Sequence, residues 1–150
     1  MEIGSDLIKE LRDETGVSVM QCKKALEEAG GDLAAAREIL HTKAAGAAAK
    51  KADRELAAGA IGAYVHDGAV GAMALLSCET DFVAKNPEFA ALAKELAQQI
   101  CAMAPESVET LLAQPFIKDG GKTVGDLVSE ASQKFGERVE VSQIARLSAR

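Results

Sequence analysis

A chain of 150 residues with a net charge of −6, 48% hydrophobic and only 3% aromatic content has room for one good domain or two small ones. No stretch reaches the ~18 uninterrupted apolar residues of a membrane span, and the opening residues, with Glu2, Asp6, Lys9 and Glu10, lack the apolar centre of a signal peptide. Three cysteines, an odd count without framework spacing, suit a reducing compartment, so the expected setting is the cytoplasm.

Charge is unevenly spread. Residues 1–42 hold five basic and nine acidic side chains, 43–56 hold four and two, and 57–150 hold eight and twelve. An acidic body with pI near 5.0 argues against direct nucleic-acid binding, which needs a clustered positive footprint. The short basic stretch reads as a solvated helix face.

Three helical patterns come first. Leu7, Ile8 and Leu11 form an apolar stripe that Gly16 stops. Ser18-Val19-Met20-Gln21 is a capping box opening a second helix, whose stripe is Cys22, Ala25, Leu26 and Ala29. Gly30-Gly31 ends it, and Asp32 caps a third helix with Leu33, Ala36 and Leu40 inward. Residues 1–42 therefore form a three-helix module resembling the ubiquitin-associated type. Met20 and Lys23 lie away from the second helix's stripe, either as a partner patch or as an incidental exposed methionine beside a cation. Residues 43–56, rich in alanine and lysine, either continue the third helix or connect as a semi-rigid linker.

The core is expected over 57–150. Asp67-Gly68 predicts a two-residue type I′ hairpin turn. Closing on it pairs Val65 with Val70, Tyr64 with Gly71 and Ile61 with Ala74. One face then carries Ile61, Val65, Val70, Ala74 and Leu76, and the other Tyr64, Met73 and Leu75. With both faces apolar, a closing strand, a second copy or a partner must cover one of them. Helices follow at Pro87–Met103 and Ser107–Leu112. Thr123-Val124-Gly125-Asp126 caps another helix over Leu127–Phe135, which Gly136 ends. Alternation from Arg138 to Leu147, with Val139, Val141, Ala145 and Leu147 on one side, predicts a half-buried strand. The fold class is α+β: an antiparallel three-stranded sheet packed on helices after the three-helix module.

No sequence pattern supports an enzyme. His66 and Cys78 are about 30 Å apart along an extended strand, too far for a nucleophile–base pair. Nothing indicates docking of the N-terminal module, which is what His41 would need to reach Cys78. Cys22, Cys78 and Cys101 read as small buried hydrophobes. Metal-ligand spacings are absent, and Gly120-Gly121-Lys122-Thr123 lacks the upstream glycine and strand of a phosphate loop, so it reads as a turn and no bound nucleotide or other cofactor is expected.

The segment Thr80-Asp81-Phe82-Val83-Ala84-Lys85-Asn86 links the apolar run Ala69–Leu76 to Pro87-Glu88. Asn86 suits an N-cap and Pro87 the first helical position. Phe82 is then either a partner anchor between rigid elements or a core plug. The segment resembles the signature loop of the elongation factor Ts family. Leu11-Arg12-Asp13-Glu14-Thr15-Gly16 with Met20–Leu26, Ala49-Lys50-Lys51-Ala52 and Gly136–Leu147 are similar, in order, to that family's opening module, basic linker and closing strand. The resemblance implies a guanine nucleotide exchange factor for elongation factor Tu. Thr80, Asp81, Phe82 and Val83 would then engage the partner beside its magnesium and nucleotide, with Phe82 as the wedge, and Met20 and Lys23 would contribute a second contact. Longer family members carry two related core halves; this chain has one, which suggests a homodimer. The competing expectation is a non-enzymatic adaptor whose three-helix module binds a ubiquitin-like or nascent-chain ligand.

Overall fold

The computed structural model describes residues 2–150. Three helices open the chain: α1 (Ser5–Thr15), α2 (Val19–Glu28) and α3 (Leu33–Lys50). Gly16, at φ 71°, closes α1 in the left-handed conformation that a side chain would strain. Asp32 caps α3 through the N–H groups of Ala34 and Ala35. Only half of the expected capping box forms at Ser18. Its hydroxyl accepts the Gln21 N–H at 3.3 Å, but the Gln21 side chain turns away and accepts from Gln133 at 3.2 Å. Leu11, Val17, Cys22, Leu26 and Leu40 form a hydrophobic cluster separate from that of the sheet.

The third helix does not stop near residue 42. It continues to Lys50, because the alanines of 43–50 favour helix enough to carry Gly46. Its second half then lies against α7 (Val124–Phe135) and buries Ala44. Nothing in the sequence indicated such docking of the N-terminal helices on the core. It is observed, and the contact includes two polar bonds: His41 Nε2 meets Asp126 Oδ1 at 2.8 Å, and Lys51 Nζ donates to the Ser132 carbonyl at 3.4 Å.

An antiparallel sheet follows, in the order β1 (Ala58–His66), β2 (Val70–Cys78), β5 (Glu140–Ser148). Asp67 and Gly68 both take positive φ, 52° and 64°, and the Ala69 N–H closes the turn on the His66 carbonyl at 2.9 Å. The turn type is as expected, but the register is not. Ala69 is an extra residue, so His66 pairs with Val70 and Val65 with Gly71. A one-residue slip moves side chains to the opposite face. Tyr64 therefore shares the inner face with Val70, Ala72, Ala74 and Leu76, while Ile61 and Val65 join Met73 and Leu75 on the outer one. The expected alternation of the closing strand is broken in the same way. Ser142 bulges between the partners of Leu75 and Leu76, its hydroxyl 2.6 Å from that of Ser77, so Val139 and Val141 point in while Leu147 is exposed.

Helix α5 (Pro87–Met103) fills the inner face with Phe89, Leu92, Leu96 and Ile100, each such burial contributing roughly 1.5–3 kcal/mol. Its approach is close because Gly62 has no side chain; a Cβ there would sit 2.1 Å from the Ala93 backbone. Phe89 meets Phe135 of α7 edge-on at 5.7 Å, which locks the two helices together. Between them run α6 (Val108–Ala113) and a small hairpin of β3 (Pro115–Phe116) and β4 (Asp119–Thr123). The stretch Gly120–Thr123, expected as a turn, is thus a strand. Gln99, fully buried in α5, holds this hairpin by donating to the Pro115 carbonyl and accepting the Ile117 N–H. Thr123 and Asp126 form the complete capping box of α7.

Candidate functional site

Beyond Cys78 the chain leaves β2 and makes a single helical turn, α4 (Asp81–Ala84), before α5 begins. Thr80, in extended conformation, caps the turn by accepting the Val83 N–H at 3.4 Å. Asn86 caps the next helix through the Glu88 N–H at 2.9 Å, with Pro87 at the first helical position. Both caps follow from side chains able to satisfy otherwise orphaned N–H groups.

Within this short turn successive side chains diverge by about 100°. Val83 points into the core at 4% exposure, whereas Phe82 stands out at 86%. The core-plug alternative for Phe82 is excluded; the valine beside it does that work. Asp81 is exposed on the same turn, so an aromatic ring and a carboxylate are presented together on a support fixed at both ends.

The support includes a residue that sequence reasoning missed. Glu137, just after Gly136 at the end of α7, reaches across to the end of β2. One of its carboxylate oxygens accepts the N–H groups of Glu79 and Thr80, each at 3.0 Å, and the other accepts the Thr80 hydroxyl at 2.7 Å. Glu79 reciprocates by accepting the Arg138 N–H, and Arg54 donates to the same carboxylate at 3.4 Å. The pairs made by Glu137 and Arg138 are more than fifty positions apart in sequence and the Arg54–Glu79 pair is 25 apart, so no local pattern could have revealed them.

Cys78 lies beneath the turn, fully buried, its thiol donating to the Thr80 carbonyl at 3.3 Å. Burial pushes its pKa up, and the carboxylates of Glu137 and Asp81 push the same way. Cys22 and Cys101 are also raised, chiefly by burial. Thiols held protonated in this way are poor nucleophiles. His41 is committed to Asp126, and His66 contacts the Tyr64 hydroxyl at 3.0 Å. Among the described residues no group of three His, Cys, Asp or Glu side chains could hold a metal ion, and no helix is long and apolar enough to cross a membrane.

Met20 and Lys23 lie on the solvent side of α2, opposite the buried Cys22, Ala25 and Leu26. Val19, which the sequence reading did not single out, is exposed beside Met20. This patch belongs to the N-terminal cluster and the Thr80–Val83 turn to the core, so the two groups of candidate residues sit on different packed units.

Residues 79–150 match the family model described as Elongation factor TS, a span that starts beside the turn just described. The chain is 38% identical to Elongation factor Ts of Desulforamulus reducens, covering 97% of this chain and 88% of that one. For the Thermodesulfovibrio yellowstonii protein of the same name the identity is 37%, with 97% and 96% covered. Elongation factor Ts of a Nostoc species is 43% identical over 93% of this chain and 44% of its own length. The D. reducens alignment runs over 191 positions, more than the 150 residues here, so that relative carries internal segments this chain lacks. The chain belongs to the elongation factor Ts family.

Proposed function

We propose that this protein is a guanine nucleotide exchange factor that binds elongation factor Tu carrying GDP and promotes GDP release, without making or breaking a covalent bond itself. The observation that carries the reading is Phe82: an aromatic ring 86% exposed on a turn held by a cap at each end. An adaptor working through its N-terminal module has no use for such a residue.

In this reading Phe82 is the wedge and Asp81 its polar companion, while Thr80 and Val83 hold the turn. Entry of the ring beside the partner's nucleotide site displaces the elements that hold Mg²⁺ and weakens the counter-charge on the phosphates. Linkage sets the thermodynamics: a factor that binds the nucleotide-free GTPase tightly must lower nucleotide affinity in the same proportion. GTP then enters by mass action. Met20 and Lys23 supply a second contact from the three-helix module of residues 1–42, which 43–56 join to the core of 57–150. The working compartment in this reading is the cytoplasm.

The working unit we propose is a homodimer through the outer face of the sheet. Ile61, Val65, Met73 and Leu147 leave that face apolar and uncovered, and a two-fold pairing would bury it on both copies. The second copy would also offer the contacts that internal segments provide in longer relatives.

Release of labelled GDP from elongation factor Tu tests the function. Substoichiometric amounts of this protein accelerate release if the reading is right; an unchanged rate at saturating protein rejects it.

A further inference from the structure

We propose that Glu137 is the positioning residue of the exchange turn: it never touches the partner, yet it sets the direction in which Phe82 points. The proposal rests on the reading of Thr80–Val83 as the exchange element.

The Glu79 and Thr80 N–H groups lie beyond the paired stretch of β2, whose last ladder partners are Ala58↔Cys78 and Ser77↔Glu140. Without Glu137 they have no protein acceptor. Its carboxylate closes the ladder in place of a strand, taking both N–H groups on one oxygen and the Thr80 hydroxyl on the other. Hydrogen bonds to an ionised acceptor are stronger than neutral ones.

The hydroxyl is the critical link. A threonine O–H rotates freely unless its proton is engaged. Here the proton is given to Glu137 at 2.7 Å, which leaves the oxygen's lone pairs for the Val83 N–H. That second bond is the N-cap of α4, so the carboxylate orients the cap and the cap orients the turn. Glu137 is itself held. Its carbonyl accepts the hydroxyl of Ser132, a buried residue of α7, at 2.7 Å, and the left-handed Gly136 before it fixes the exit from the helix. Glu79 locks the reverse direction through the Arg138 N–H. The backbone that carries the ring is thereby set before the partner arrives, so less binding energy is spent on ordering the turn.

The test compares wild type with Glu137→Ala, Glu137→Gln and Thr80→Val in GDP release from elongation factor Tu and in amide hydrogen exchange. Glu137→Ala should lower the apparent second-order release rate about tenfold or more, the scale expected when a contact group is misplaced. Amide protection should be lost at Glu79, Thr80 and Val83 but kept in α5. Glu137→Gln keeps an acceptor for the two N–H groups and should recover part of the rate. Thr80→Val removes the hydroxyl link together with the cap on the Val83 N–H while leaving Glu137 its two backbone N–H groups, and combined with Glu137→Gln it should cost less than the sum of the two. If Glu137→Ala does not fold, the Glu137→Gln and Thr80→Val pair carries the test alone. Wild-type release by folded Glu137→Ala, or strict additivity of that pair, overturns the proposal and leaves the exchange reading standing. A wild-type protein that fails to accelerate release overturns the exchange reading, and this role with it.

Discussion

Phe82 and Phe89 are seven residues apart, on either side of the Asn86-Pro87 junction, and they have opposite fates. Phe89, on α5, is fully buried in the core against Phe135; Phe82 is 86% exposed on the turn before that helix. The side chain is the same, so the difference is made entirely by the supports. One ring is spent on holding the fold and the other is held by it.

Truncating each ring should separate the two roles. Phe89→Ala empties a closed aromatic site and should cost about 3–5 kcal/mol of stability, read as a lowered denaturant midpoint. GDP release per folded molecule should stay unchanged. Phe82→Ala removes no packing and should alter stability by less than about 1 kcal/mol. A large stability loss from Phe82→Ala would erase the contrast.

The two faces of the sheet extend the comparison. The inner face is sealed by α5, whereas Val65 and Met73 on the outer face are exposed, on the side proposed to pair with a second copy. Val65→Glu with Met73→Glu should move sedimentation equilibrium at micromolar concentration from a dimer toward the 15.6 kDa monomer, with secondary structure retained. A wild-type protein already at the monomer mass contradicts the dimer.

The smallest effect expected is at the junction of α3 and α7. The hydrogen bond to Asp126 raises His41 above the ordinary 6.5, with the charges of Asp126, Glu38 and Glu130 adding to it and burial opposing it. Burial pushes Asp126 up, but its bonds to His41 and Thr123 outweigh this and hold it below 3.8. A raised histidine contributes stability that is full below its unfolded value and fades as pH rises through the folded one. A lowered carboxylate contributes above its unfolded value and fades as pH falls through the folded one. The pair is therefore at its strongest between 3.8 and 6.5. Melting of wild type and His41→Asn should differ most near pH 5 to 6 and converge in alkaline buffer, about pH 9. An unchanging gap across that range would show that the pair is not linked to stability.

What the sequence made legible were local features with their own chemistry. Gly16, Asp32, Thr123 with Asp126, and Asn86-Pro87 each satisfy or terminate a helix end within a few residues, and each stands where expected. What it hid were single-residue insertions and long-range polar contacts. Ala69 and Ser142 each shift a register by one, and periodicity cannot distinguish a strand from a strand with a bulge. Glu137 escaped because its partners are 57 and 58 positions away, and His41 because Asp126 is 85 positions away. The turn itself was legible as a motif, but whether Phe82 faced in or out was not. That depended on Val83 filling the core, which only packing decides.

The most direct measurement is GDP release from elongation factor Tu driven by saturating wild-type or Phe82→Ala protein, at a temperature where both are fully folded. The account predicts that wild type accelerates release and that Phe82→Ala loses most of that acceleration. Equal acceleration by both proteins would contradict it.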